Sequence, residues 1–491
     1  MADTHHALPE PSTAATAGSR LTGNLGPIDL AITVLAASAP LSVMAAFAPV
    51  SLLVGNGLGM VQSYLIAGVA LAMFAFGFLA MGRAVSRQGG DAGALYTYIV
   101  RGLGKPIGLG GAFLAVFSYA LIQAGTFGML GESMRQFAVQ KLGVSGGAWW
   151  QYALLLWCVV AALGYRRLNL SARVLEVAMI GEILVVTVLD LAILLKGSPQ
   201  GYFTLEPFTP AALLSGSPGL GVMFAVAAFI GFEATAIYSE EVRDPRRTIP
   251  RATFASIAVI ALLYSFSTWC LINAFGPAEA VRQAHADPTA MFPKALMVYV
   301  SAWSVDVMYV LLISSLFAAV LSFHNALARY YFSFGIDGVL PGLFARIHSR
   351  HGSPANASML QSAVALLIVA PFAILHRDAV LELYAWGIGV GTMAMLLVFA
   401  LASIATLIYL KRHGHGIPTW DRSVAPVVGF VMLGLIAAYA TFNFDSLVEA
   451  SRALTLFFLG LIYASFLMGV VLAVRWRHSR PDCYARIGRS S

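Results

Sequence analysis

Hydrophobic residues fall along this chain in long blocks, with charge confined to the gaps between them. A helix that crosses a bilayer needs roughly 20 apolar residues, and on that criterion the pattern predicts about 12 crossings. Their limits lie near 27–54, 60–81, 107–137, 149–168, 173–195, 219–241, 251–275, 300–334, 357–376, 380–410, 424–443 and 453–475. Between spans 7 and 8, Pro277, Pro288 and Pro293 punctuate residues 276–300, which read as a polar loop holding a short surface helix. Residues 1–26 are polar and lack a basic segment followed by an apolar core. They read as a disordered cytoplasmic tail, not a signal peptide. No stretch reads as a separate soluble domain.

Composition agrees with the block pattern. The chain is 59% hydrophobic and 11% charged, with a mean hydropathy of +0.79. Soluble domains carry about a quarter charged residues, so this is an all-α polytopic membrane protein. The net charge of +7 does not point to nucleic acid, because the excess sits in short loops between spans. Of the 30 Lys and Arg, 23 fall in the first tail, the loops after even-numbered spans and the last tail. That bias places both termini in the cytoplasm and favours an even number of crossings. Cys158 and Cys270 lie inside apolar spans and Cys483 in the basic tail, so neither a disulfide framework nor a metal spacing is present. No cofactor is implied.

Two spans are interrupted near mid-depth. Span 1 carries Ala36-Ala37-Ser38-Ala39-Pro40. Pro40 donates no hydrogen bond and its ring clashes with the preceding turn, so the helix breaks there and Pro40 opens its outer half. Span 6 is interrupted at Gly231, with Glu233 beside it. The breaks lie five spans apart, so the two copies run in opposite directions through the bilayer. Matched breaks of this kind are the best sequence pointer to a midplane binding site. Half-helix N-termini suit a carboxylate, and freed carbonyls suit an ammonium or a cation. A lone Pro or Gly often means only a kink. The matched pair and the intramembrane acid favour a site, because lipid satisfies neither exposed backbone nor a carboxylate.

Gly231-Phe232-Glu233-Ala234, then Glu240-Glu241, Pro245-Arg246 and Ile249-Pro250-Arg251-Ala252, resemble the signature of spans 6 and 7 in the amino acid–polyamine–organocation superfamily. Gly89-Gly90 with Gly93, Tyr96 and Tyr98 is similar to its segment after span 2. Arg329 followed by Ile336-Asp337-Gly338-Val339-Leu340-Pro341 is similar to its end of span 8. The resemblance covers most of residues 25–475. It implies a transport core over 27–410 made of two inverted five-helix repeats, 27–195 and 219–410. Two accessory helices over 424–475 and a basic cytoplasmic tail over 476–491 follow. It also implies secondary transport of amino acids or amines, by proton symport or exchange. Three departures stand out. The family's Gly-Ser-Gly type run is Ala37-Ser38-Ala39-Pro40-Leu41 here, a proline that resembles some polyamine importers. The Lys often found on span 5 is replaced by Glu182. The aromatic gate before the span 6 glycine is Ala227, which leaves occlusion to Phe229 or Phe232.

Candidate chemistry follows. Ala37, Ser38, Ala39, Gln123, Phe229, Gly231, Phe232 and Glu233 are the expected substrate-binding residues. Glu182, Glu233, Ser322 and Asn325 are the expected coupling residues. Glu233 in a desolvated cavity can exchange a proton or pair with a substrate ammonium, or it can simply cap the broken backbone. Glu182 can carry a proton, or stand neutral between helices. Ser322 and Asn325 share a face of span 8 that could meet the span 1 break; singly, each is a plain interhelical hydrogen bonder. His324 reads as a structural donor, Asp190 as near the outer surface, and Asp29 as an acid at the inner end of span 1. Tyr384 and Trp386 read as outer-belt aromatics. Gly387, Gly389 and Gly391 suggest close packing or a flexible gate. Glu240, Glu241, Arg243, Arg246 and Arg247 could form an inner ion-pair network with Arg83 or Arg329.

The resulting expectation is a multi-pass carrier of the cytoplasmic (inner) membrane. It imports an amino acid or organic amine with a coupling proton, and its partners are that small molecule, the proton and membrane lipid. A polyamine or monoamine importer and an exchanger are the rival carriers; a channel or a sensor is the rival outside transport. A channel would show polar stripes where this chain has isolated polar points. An enzyme would need a His, Asp or Lys cluster at one interface, which is absent.

Overall fold

The computed structural model describes residues 38–87, 95–144, 146–166, 172–233, 244–349, 352–448 and 451–488, without the side chains of residues 172–175, 245 and 246. Ala37, Asp29, the tail over 1–26, Gly89, Gly90, Gly93, Glu240, Glu241 and Arg243 lie outside the described residues, as does the Arg246 side chain. All regular structure among the described residues is helical. We label the main helices α1 Pro40–Val54, α2 Met60–Arg87, α3 Leu95–Leu103, α4 Lys105–Lys141, α5 Trp149–Arg166, α6 Ala172–Lys196, α7 Pro218–Ala227 and α8 Pro245–Phe275. They continue with α9 Pro277–Ala286, α10 Pro288–Tyr299, α11 Ala302–Asp337, α12 Ala355–Ile374, α13 Ala379–His413, α14 Trp420–Phe442, α15 Arg452–Ser479 and α16 Pro481–Arg486.

Among the described residues, nine helices are long and apolar enough to cross a membrane, and α1 and α7 are shorter apolar helices. The protein is thus an all-α polytopic membrane protein. Most limits fall within a few residues of those read from hydropathy. Residues 276–300 differ: they form two helices, not a polar loop. Pro277 and Pro288 start them at positions where a missing N–H costs nothing. The Asp287 carboxylate accepts from the N–H groups of Thr289 and Ala290 and so caps α10. Met291, Phe292, Ala295 and Leu296 are buried, and both helices pack on α1.

The frame around α1 and α7 is tight. A Cβ on Gly387 of α13 would sit 2.8 Å from the Leu121 carbonyl oxygen and 2.9 Å from the Gly125 Cα of α4. One on Gly391 would lie 2.9 Å from the Ser118 carbonyl oxygen. These glycines therefore let two backbones touch; close packing is their role. Tyr384 and Trp386 are buried, not belt residues. Tyr384 meets Phe47 of α1 edge-on with ring centroids 6.5 Å apart, and Phe47 lies 5.6 Å from Phe224 of α7. Trp386 packs on Phe372 and Phe458.

At the opposite face from α9 and α10, α16 docks back onto the body. Lys105 donates to the carbonyl oxygens of Tyr484 at 2.9 Å and Ala485 at 2.7 Å. Ile487 is buried among the side chains of α3, α4, α11 and α15. The Gly488 N–H donates to the Tyr96 hydroxyl at 2.8 Å, and that hydroxyl lies 3.4 Å from Asp337. Arg83 pairs with Asp421 at the start of α14, 2.9 Å away. Arg247 stands 4.0 Å from Asp244.

Replacing Gly387 by Leu forces α4 and α13 apart. We expect a loss of about 1–3 kcal/mol, read as a lowered thermal midpoint in detergent. Gly434→Ala, where a Cβ meets nothing within 4 Å, serves as the control that leaves the midpoint unlowered.

Candidate functional site

The site is built on two helix ends. α1 begins at Pro40, preceded by Ala39 in the left-handed region at φ 48°. A non-glycine residue there is uncommon and marks a constrained turn. Pro40 supplies no N–H, so the first donor at this helix start is Leu41 N–H. It donates to Glu182 Oε2 of α6 at 3.3 Å. The next turn widens: Val43–Phe47 is a π-helix, a distortion frequent at functional sites. Ser42 donates to Ser315 of α11 at 2.9 Å. On the other side of the break, the Tyr264 hydroxyl of α8 reaches the Ser38 carbonyl oxygen at 3.1 Å and the Ser38 hydroxyl at 3.2 Å.

α7 ends differently. After Ala227 its bonds tighten from four residues to three: Phe229 N–H donates to the Val226 carbonyl and Ile230 N–H to that of Ala227. Gly231 then turns at φ 115°, a conformation that glycine adopts without strain. Glu233 folds back over this turn. Its Oε2 accepts from the Gly231 N–H and its Oε1 from the Tyr119 hydroxyl of α4, both at 2.8 Å. The Glu233 side chain thus caps its own break and ties it to α4. Tyr119 in turn leans on Phe323 and Tyr330 of α11, with centroids 5.8 and 6.2 Å away.

Several expected positions sit elsewhere. Gln123 is fully buried and faces its neighbours, not the breaks: its amide nitrogen donates to the Val320 carbonyl at 3.0 Å and its oxygen accepts from Gln361. It pins α4 to α11 and α12. Phe232 packs between Phe74 of α2 and Phe399 of α13, with centroids 6.1 and 5.9 Å away. Phe229 is buried and its ring faces Gly68 of α2. The aromatic pair that joins α1 to α7 is Phe47 and Phe224. Ser322 is exposed and Asn325 half-buried. The α1–α11 contact is made by Ser315, two turns from Ser322. Asp190 is not near the surface: it is 4% exposed and accepts from Ser267 of α8 at 2.5 Å. His324 bonds Ser358 of α12 at 2.8 Å, a structural role. Tyr264 was legible only as one more residue in an apolar span; Ser42 and Ser315 had helical position but no cue to their pairing.

No group of three or more potential metal ligands occurs among the described residues. The arrangement has a clear physical content. A helix N-terminus is a ready anion site, and at α1 that site is filled by the chain's own carboxylate. Removing Glu182 leaves Leu41 N–H without its partner in a buried setting. We expect Glu182→Ala to lower stability by about 1–3 kcal/mol, and Tyr119→Phe, which leaves Glu233 its backbone donors, to cost less. Chemical denaturation in detergent compares the two.

Residues 30–472 match the model of a family described as amino acid permease. The chain is 25% identical over 398 residues to the branched-chain amino acid permease BcaP of Lactococcus lactis, covering 76% of this chain and 80% of that one. It is 25% identical over 323 residues to the low-affinity putrescine importer PlaP of Escherichia coli, covering 63% and 68%. It is 23% identical over 393 residues to a methylthioribose transporter of Bacillus subtilis, covering 78% and 80%.

Proposed function

The chain belongs to the amino acid permease family, and from that premise we propose that it imports an amino acid or a related organic amine across the cytoplasmic membrane by proton symport. Membership makes it a permease-type transporter with many membrane spans. The finer reading is ours. It takes twelve crossings, two inverted repeats, and both termini in the cytoplasm, so that α9 and α10 lie outside and α3 and α16 inside. The charge bias over the loops supports this orientation.

Substrate lies between the breaks at Ser38–Ala39 and Gly231, bounded by α4, α11 and α13. Alternating access follows from rocking α1, α2, α7 and α8 against the remaining helices. The observation that carries the coupling is the bond from Leu41 N–H to Glu182. It joins the moving helix α1 to the static helix α6 through a carboxylate, so the proton state of that carboxylate changes the strength of a contact that rocking must alter. A protonated Glu182 is the weaker acceptor and releases α1. A substrate carboxylate can then take its place at the helix start, while a substrate ammonium faces Glu233 and the freed carbonyls.

The same bond favours a second reading. Glu182 already fills the anion position of α1, and Pro40 removes one of its donors, so an amine without a carboxylate meets no competition there. A relative named a putrescine importer supports keeping this alternative.

Uptake into proteoliposomes with an imposed pH gradient separates these. We expect acid-outside gradients to drive accumulation of at least one compound among leucine, alanine, putrescine and ethanolamine. Glu182→Gln removes the titrating group; it should abolish gradient-driven accumulation while substrate counterflow persists. Uptake driven by sodium alone, with no response to pH, sinks proton symport. Accumulation of putrescine but of neither amino acid selects the amine reading.

A further inference from the structure

Glu182 is not the sole carboxylate on the buried face of α6. Asp190 lies two turns along, about 12 Å away by helical rise, and is 4% exposed. An ionisable side chain held inside a membrane span is costly, and where it persists it marks a functional path. Its hydrogen-bond partner is on α8: the Ser267 hydroxyl donates at 2.5 Å, and Cys270, one turn on, is itself buried. No lysine or arginine among the described residues pairs with it.

Among the described residues, the other elements packed on this stretch bring no charge to it. α10 contributes Tyr299, whose hydroxyl is directed to the carbonyl oxygens of Gly197 and Ala274. α11 meets α6 at Gly181 through Leu311. α8 adds Tyr264, directed to Ser38. The carboxylates of α6 therefore grip two different helices. Glu182 holds α1, and Asp190 holds α8. Both held helices belong to the set that rocks in the proposed cycle, and α6 belongs to the set that stays.

We propose that Asp190 is a second proton-exchanging residue of the transport cycle, clasping α8 to α6 on the side of the molecule that bears α9 and α10. This rests on the proton-symport reading above. When α8 moves away, the Asp190–Ser267 bond opens and the carboxylate takes a proton from water on that side. When α8 returns, the Ser267 hydroxyl re-forms its bond and the proton leaves to water on the same side. One proton is bound and one released per cycle, with no other bond made or broken. Asp190 is a positioning residue, because its charge decides how firmly α8 is held; its proton returns to the side from which it came.

Asp190→Asn keeps the shape and an acceptor oxygen but cannot titrate. Infrared difference spectra of the purified full-length protein, titrated from about pH 5 to pH 9, read the proton without needing a substrate. A protonated-carboxyl C=O band that titrates in the natural protein should vanish in Asp190→Asn. A spectrum identical to that of the natural protein overturns the assignment. Transport gives the second readout, using whichever of leucine, alanine, putrescine or ethanolamine is carried fastest. Asp190→Asn should keep counterflow within about twofold and lose most of the dependence of uptake rate on external pH. Should this variant fail to fold, Ser267→Ala retains the acid and weakens the clasp; a displaced titration of the same band is expected, and an unmoved one overturns the proposal. If Glu182→Gln loses gradient drive and Asp190→Asn responds to pH as the natural protein does, Asp190 alone is excluded. If the natural protein ignores the pH gradient, proton symport falls and the role of Asp190 falls with it.

Discussion

A broken helix inside a bilayer leaves peptide groups that lipid cannot satisfy, and the way this chain satisfies them organises everything else. At the start of α1 the work is done from outside the helix, by Glu182 on α6. At the end of α7 it is done from within, by Glu233 turning back on Gly231. The two solutions have different consequences. A cap supplied by a neighbouring helix makes the break a joint between two elements. A cap supplied locally makes the break a rigid corner, here braced to α4 through Tyr119.

Around these ends the remaining helices form a frame with little freedom. α4 is its central post. Its backbone touches that of α13 through Gly125 and Gly387, and Gln123 binds it to α11 and α12 in the interior. Contacts of this kind are short, dry and shape-dependent, so they resist shear. Between α6 and the helices α1 and α8, single polar bonds run through the apolar packing: Leu41 N–H to Glu182, and Ser267 to Asp190.

Much of the frame was legible in the sequence because lipid imposes a simple rule on length and hydropathy. The breaks were legible too, since Pro40 and Gly231 act on the backbone irrespective of tertiary contacts. What hydropathy missed depended on neighbours. Residues 276–300 looked like a loop because three prolines suggested interruption, yet two of them begin helices. Asp190 looked superficial from its distance along α6, but α8 covers it. Phe229 and Phe232 flank the expected glycine and still point into packing. Gln123 lies on the expected helix with its amide turned toward α11 and α12. Nothing in the periodicity distinguishes a polar side chain facing a cavity from one joining two helices, because both lie on the inward face.

The short helix α16 bears on practical handling of the protein. Its carbonyl end is held by Lys105, Ile487 is sunk into the body, and Gly488 adopts φ 74° with Val100 closing over it. Cys483 lies against Gly338 at the end of α11. An affinity handle or fluorescent partner joined directly after Gly488 would start in this crowded seat and pull the segment away. A flexible spacer beyond it keeps the seat filled, and a small thiol probe on Cys483 would then report whether the segment is docked.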